Sequence, residues 1–137
     1  EAWLESKYRE RGVVLLPAMT CRDNLFGDQT IEKAIEWAKE YSDFVVGFIG
    51  AAVEGQEKVG SLRLLAGLEF LIFTPGVQLY QKGDMLGQTY VTPREAMLQG
   101  ADVIVVGRGI YEAERPGEAA RRYREEAWES FSEGLKK

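Results

Sequence analysis

The chain is expected to be an α/β protein in which four parallel strands alternate with helices that cover them. Three observations predict this. The strand-like runs are continuous in Val, Ile, Leu and Phe rather than alternating with polar residues, the pattern of parallel strands buried on both faces. The segments between them place apolar residues at helical spacing. A length of 137 residues holds one respectable core, so residues 1–137 are expected to form a single domain.

Trp3, Leu4, Lys7 and Tyr8 suggest a short amphipathic helix, and Val13, Val14, Leu15 and Leu16 form the first strand, ended by Pro17 and the polar residues 20–24. Thr30 is a good N-cap. Ile31, Ala34, Ile35, Ala38 and Tyr41 follow at helical spacing with Glu32, Lys33, Glu36, Lys39 and Glu40 opposite, so a helix is expected from Thr30 to about Tyr41 or Ser42. Residues 44–49 are β-branched and aromatic and form the second strand, after which 50–60 is the most loop-like segment. A weak helical pattern over 61–66 precedes the third strand, 68–73, which Thr74, Pro75 and Gly76 close as a turn. Thr92 followed by Pro93 predicts an N-cap with proline at the first helical position, and Gly100 is placed to stop that short helix over 93–99. The fourth strand, 103–106, runs into Gly107, Arg108 and Gly109. After Pro116 a last helix carries Ala119, Ala120, Tyr123, Ala127, Trp128 and Phe131 on one side, and Gly134 ends it.

Composition excludes several functions. With 22 acidic against 17 basic residues, a net charge of −5 and no long basic run, neither nucleic acid nor an anionic membrane surface is an expected partner. The lone Cys21 excludes an internal disulfide framework, and the absence of histidine removes the usual zinc sites and every histidine-based triad. No apolar stretch approaches the ~20 residues that span a bilayer, and the opening Glu1, Ala2, Trp3, Leu4 and Glu5 do not resemble a secretory signal. A reducing cytoplasm is the expected location.

Two glycine-bearing turns carry the strongest functional signal. One is Lys82-Gly83-Asp84-Met85-Leu86-Gly87-Gln88-Thr89-Tyr90, and the other is Gly107-Arg108-Gly109; each follows an apolar run. Glycine lets backbone N–H groups approach an anion closely, Arg108 adds a permanent planar charge, and Gln88 and Tyr90 add neutral donors, so together they predict one phosphate grip. Two architectures place such a grip at the C-terminal ends of the strands. One is an open sheet with helices on both sides; the other is half of a (β/α)₈ TIM barrel, whose full form takes about 250 residues and puts phosphate in the loops after strands 7 and 8. A half barrel would leave unpaired edges and a half-exposed apolar interior for more protein to cover.

Several spaced motifs, in order, resemble the second half of orotidine 5′-monophosphate decarboxylase, a barrel family. They run from Arg11-Gly12, Leu15-Leu16 and Ala18-Met19-Thr20 through residues 43–49 and Thr74-Pro75-Gly76-Val77 to the two glycine turns, Thr92-Pro93, Gly100-Ala101-Asp102, Tyr123-Arg124 and Trp128-Glu129. The resemblance implies a C-terminal half barrel, with strands equivalent to the fifth to eighth. It also implies that Gln88, Tyr90 and Arg108, with the backbone of Gly107 and Gly109, hold the 5′-phosphate of orotidine 5′-monophosphate or of the product uridine monophosphate (UMP). Thr20 matches a hydroxyl position that hydrogen-bonds the pyrimidine, Pro75 a proline packing beside the base, and residues 79–90 the loop that closes over nucleotide.

In that family decarboxylation needs no cofactor. A lysine in an Asp-x-Lys-x-x-Asp array protonates the carbon as carbon dioxide leaves, and binding energy from the remote phosphate drives loop closure. No Asp-x-Lys-x-x-Asp occurs in this sequence, so no catalytic residue is assigned to it and the chain alone is expected to be inactive. Pro17-Ala18-Met19-Thr20 also stands where the family usually carries a glutamate before Met-Ser, and Arg22-Asp23-Asn24 replaces a more usual small and basic stretch. The expected partner is therefore the missing N-terminal half barrel, which supplies the array, or a second copy of this chain in a non-catalytic, self-associating half barrel that binds phosphate or nucleotide. Asp84 and Asp102 are read as turn stabilisation and strand entry, Cys21 as unreactive, residues 121–126 as a solvated helix face, and Trp3, Trp37, Trp128 and Phe131 as packing helices against the sheet.

Overall fold

A computed structural model describes residues 12–15, 28–50, 58–79 and 90–134. The element order is β1 (Val13–Leu15), α1 (Asp28–Glu40), β2 (Val45–Ile49), α2 (Lys58–Ala66), β3 (Leu71–Thr74), α3 (Pro93–Leu98), β4 (Val103–Ile104), α4 (Arg108–Tyr111) and α5 (Pro116–Gly134). The strands lie in one sheet in sequence order, and every pairing is parallel. Three strands of three to five residues form most of it, and β4 is a two-residue edge. One more backbone bond, from the Val105 N–H to the Thr74 carbonyl at 2.8 Å, carries the β3–β4 pairing past the end of β4.

The core lies between the sheet and its helices. Ile31, Ala34, Ile35 and Ala38 from α1 and Leu62 and Ala66 from α2 cluster with Phe48, Phe70 and Ile72. Phe48 and Phe70 meet edge to face at a centroid distance of 5.3 Å, a favoured aromatic geometry. Further along the same core α3 packs against α5, with Ala96 and Tyr123 in the cluster. The helix over α3 forms for the reasons legible in its sequence: the Thr92 hydroxyl accepts from the Glu95 N–H at 3.2 Å, and the Glu95 carboxylate accepts from the Thr92 N–H at 2.8 Å. That reciprocal capping box, Pro93 and the buried Ala96 set its start.

Several boundaries differ from expectation. Helix α1 begins at Asp28, so Thr30 lies inside it rather than at its N-cap. Helix α2 begins at Lys58 and claims residues assigned to a loop. Strand β3 begins at Leu71 rather than at Leu68, because Gly67 takes a positive φ of 76° at the end of α2 and the next three residues turn back toward the sheet; Leu68 is 90% exposed there. The Gly107-Arg108-Gly109 turn continues into the helical turn α4. The expected apolar side of α5 is only partly covered: Tyr123 is buried, whereas Trp128 and Phe131 are exposed, and Ser130 takes a buried place by donating to the Glu126 carbonyl. Trp37 is likewise exposed, with the Lys33 ammonium 5.6 Å from its ring centroid. The helix expected near residues 3–8 lies outside the described residues.

Among the described residues β3 and β4 are covered by helices on one face only, where burial on both was expected, whereas in β2 Val45 is buried and Val46 exposed. Register partners point the same way, and successive residues alternate. Phe48 pairs with Ile72 and Thr74 with Ile104; Phe48, Ile72 and Thr74 are fully buried under the helices. Phe73 pairs with Val103 and Gly47 with Leu71 on the opposite face, where Leu71 and Val103 are exposed at 40% and 36%. The described helices pack on the first face, so the second presents apolar side chains to solvent.

Candidate functional site

The site is built at the C-terminal ends of β3 and β4. After β3 the chain passes through Pro75 and Gly76 to Val77, which forms a parallel bridge with Val91. The Gln78 N–H donates to the Val91 carbonyl at 2.9 Å, and the Val91 N–H donates to the Gly76 carbonyl at 3.0 Å. These bonds zip together the two stems of the intervening segment and set Tyr90, itself buried, level with Gly76. After β4, Gly107 caps α4; its carbonyl accepts from Ile110 at 2.9 Å and from Tyr111 at 3.2 Å. Arg108 leads that turn, and its guanidinium donates to the Tyr90 hydroxyl at 2.5 Å.

Pro75, Tyr90, Gly107, Arg108 and Gly109 therefore line one cleft of 230 Å³, with Val105 at its wall. These are all the expected site residues that fall in the described segments; Gln88 and Thr20 lie outside them. Val105, 44% exposed, connects the cleft to the uncovered apolar face of the sheet. A second cavity of 780 Å³ shares Tyr90, Arg108 and Gly109 and extends along α5 to Arg122 and Tyr123.

A guanidinium, a phenol hydroxyl and a glycine-flanked turn suit an oxyanion, which accepts several hydrogen bonds at once. No carboxylate, lysine or thiol is among the described residues lining it. Among the described residues there is also no cluster of three or more His, Cys, Asp or Glu able to hold a metal ion.

Two residues important to this end of the fold were not singled out as site residues from the sequence. Tyr123 comes up from α5, and its hydroxyl accepts from the Leu79 N–H at 3.2 Å. Gln78 lines both cavities. The helical spacing of Tyr123 signalled burial, but nothing in that spacing shows where a buried hydroxyl will find its partner.

The family model described as Orotidine 5′-phosphate decarboxylase / HUMPS family matches residues 2–123. The chain belongs to this family. Orotidine 5′-phosphate decarboxylase of Aspergillus fumigatus is 43% identical over 124 residues, which cover 89% of this chain and 44% of that protein. The protein of the same name from Emericella nidulans is 40% identical over 122 residues, with the same shares covered. Among solved structures, orotidine 5′-phosphate decarboxylase from Pyrococcus horikoshii OT3 superposes with a TM-score of 0.62 at 25% identity, over 85% of this chain and 50% of that one. The parallel strands alternating with helices match these decarboxylase barrels. The chain spans less than half the length of the curated relatives it matches. Among the described residues no helix is long and apolar enough to cross a membrane.

Proposed function

We propose that this chain is the phosphate- and pyrimidine-binding half of an orotidine 5′-monophosphate decarboxylase barrel, residues 1–137 forming one C-terminal half-barrel domain that works with the complementary half. Arg108, Tyr90 and the Gly107–Gly109 backbone hold the 5′-phosphate, joined by Gln88, while Pro75 packs beside the base and Thr20 bonds it. The observation that carries this reading is the contact between Arg108 and Tyr90 across two separate loops, in a cleft shared with Pro75. Residues from two strand ends converge there on one cleft, and the family resemblance matches the same residues to the phosphate, which supports this reading.

The Asp-x-Lys-x-x-Asp array, absent from this sequence, comes in this reading from the complementary half, on the same or another polypeptide. The uncovered Leu71, Val103 and Val105 face supports the need for such a partner, because a contiguous apolar face is costly to leave in water. The same face favours a second reading, in which two copies of the chain cover each other and bind nucleotide without turning it over. The test is to mix the chain with an N-terminal half carrying the array and follow the loss of orotidine 5′-monophosphate. Activity that appears only in the mixture supports the first reading. A folded, inactive mixture whose native mass is that of a homodimer supports the second.

A further inference from the structure

We propose that Tyr123 is a positioning residue for the anion cleft: its hydroxyl sets the turn after β4 against the loop stem after β3, so that Arg108 and Tyr90 face one phosphate. The inference rests on the phosphate reading above and adds to it a residue from outside the two loops. Tyr123 is 4% exposed, on the side of α5 that packs beneath the cleft. A buried phenol needs only its ring to fill space; its hydroxyl must also find a partner or be penalised.

That hydroxyl touches both halves of the grip. It accepts from the Leu79 N–H at 3.2 Å, two residues beyond the Val77–Val91 bridge that holds Tyr90 in place. It also occupies the room that a side chain on Gly109 would need: a Cβ there would lie 2.1 Å from the hydroxyl oxygen. Gly109 directly follows Arg108, so the close approach of helix α5 to this glycine sets how far the arginine's turn stands from the β3 stem. The absence of a Cβ at Gly109 serves the approach of Tyr123 as well as the approach of an anion. One oxygen atom thus couples the stem next to Tyr90 with the turn that carries Arg108.

The experiment compares UMP with uridine, which lacks the phosphate, by calorimetric or NMR titration of the full chain and of Tyr123→Phe, Gly109→Ala, the double variant and Arg108→Ala. Tyr123→Phe is expected to lower UMP affinity about tenfold, the scale of one lost hydrogen bond in a preorganised site, while uridine affinity stays within twofold. Gly109→Ala is expected to lose at least as much, and the double variant no more than Gly109→Ala alone, because the hydroxyl that the new Cβ meets first is gone. The proposal is overturned if Tyr123→Phe keeps the wild-type ratio of UMP to uridine affinity, or if both ligands weaken equally, as general loosening of the fold would give. The phosphate reading itself fails if the unaltered chain does not prefer UMP to uridine, or if Arg108→Ala leaves that preference intact.

Discussion

Asp102 accepts two donors on a single carboxylate oxygen, the Arg63 guanidinium and the Ile72 N–H, the latter at 2.7 Å. The same guanidinium donates to the carbonyls of Gly67 at 2.8 Å, Phe70 at 2.9 Å and Gly100 at 3.1 and 3.2 Å. Arg63 therefore ties the reversal from α2 into β3 to the reversal from α3 into β4, at the strand ends away from the cleft, where a barrel invests in stability. The Arg63 side chain is largely shielded at 17% exposure and the Asp102 side chain is one-third exposed at 32%, so the contact escapes part of the screening that weakens surface pairs. Arg63→Met is expected to lower unfolding free energy by about 2–4 kcal/mol, because the paired acid and the carbonyls lose their shared donor. Asp102→Asn, which retains an acceptor for Ile72, should cost about half as much. Urea denaturation checks both, and UMP affinity of the folded fraction should not move.

Thr92 contributes in a second place where stability feeds the site. Its hydroxyl and the Glu95 carboxylate cap α3 reciprocally, two residues after Tyr90. Thr92→Ala is expected to cost about 1 kcal/mol, the usual value of a lost N-cap, whereas Thr92→Ser should be nearly neutral. Thermal melts of the two variants separate the hydroxyl from the methyl.

These features differ in how far the sequence disclosed them. The Thr92-Pro93 start and the Gly100 stop were legible because capping is local chemistry, settled by residues within one turn of each other; Gly100 takes a φ of 100° as its position required. The convergence of Pro75, Tyr90 and Arg108 was legible through the motif pattern and through the rule that parallel strands gather their loops at one end. Arg63 was not, since nothing near it in sequence points to acceptors as far away as Gly100 and Asp102. Nor was the one-sided burial of the strands: a continuous apolar run tells which residues avoid water, but not which face this stretch of chain covers itself. Trp128 and Phe131 misled for a related reason, because helical spacing marks an apolar stripe whether or not its neighbour is present.

The uncovered face makes its own prediction. Leu71→Lys combined with Val103→Lys places two charges where the side chains already meet solvent, so the chain alone should keep its stability to within about 1 kcal/mol. Docking of a complementary half would then bury two unpaired ammonium groups, a cost of several kcal/mol each. The variant is expected to stay monomeric in sedimentation and to restore no decarboxylase activity when mixed with an N-terminal half. Activity equal to that of the unaltered chain would mean that the face is not where the halves meet.

Arg108 carries the sharpest expectation. Its guanidinium donates to the Tyr90 hydroxyl from the start of α4, which aims its planar donors into the cleft. Arg108→Ala should weaken UMP binding by about a hundredfold, the range for charge-assisted hydrogen bonds, and leave uridine unaffected. Arg108→Lys should recover only part of that loss, since an ammonium restores the charge without the planar fork. Tyr90→Phe removes a neutral hydroxyl and should cost only a few-fold in UMP affinity. Because a phosphate held by Arg108 is an electrostatic contact, the advantage of UMP over uridine should shrink as salt rises from about 0.05 to 0.5 M in the unaltered chain, and should shrink less in Arg108→Ala. Titrations at the two salt concentrations therefore test the charge of the grip separately from its shape.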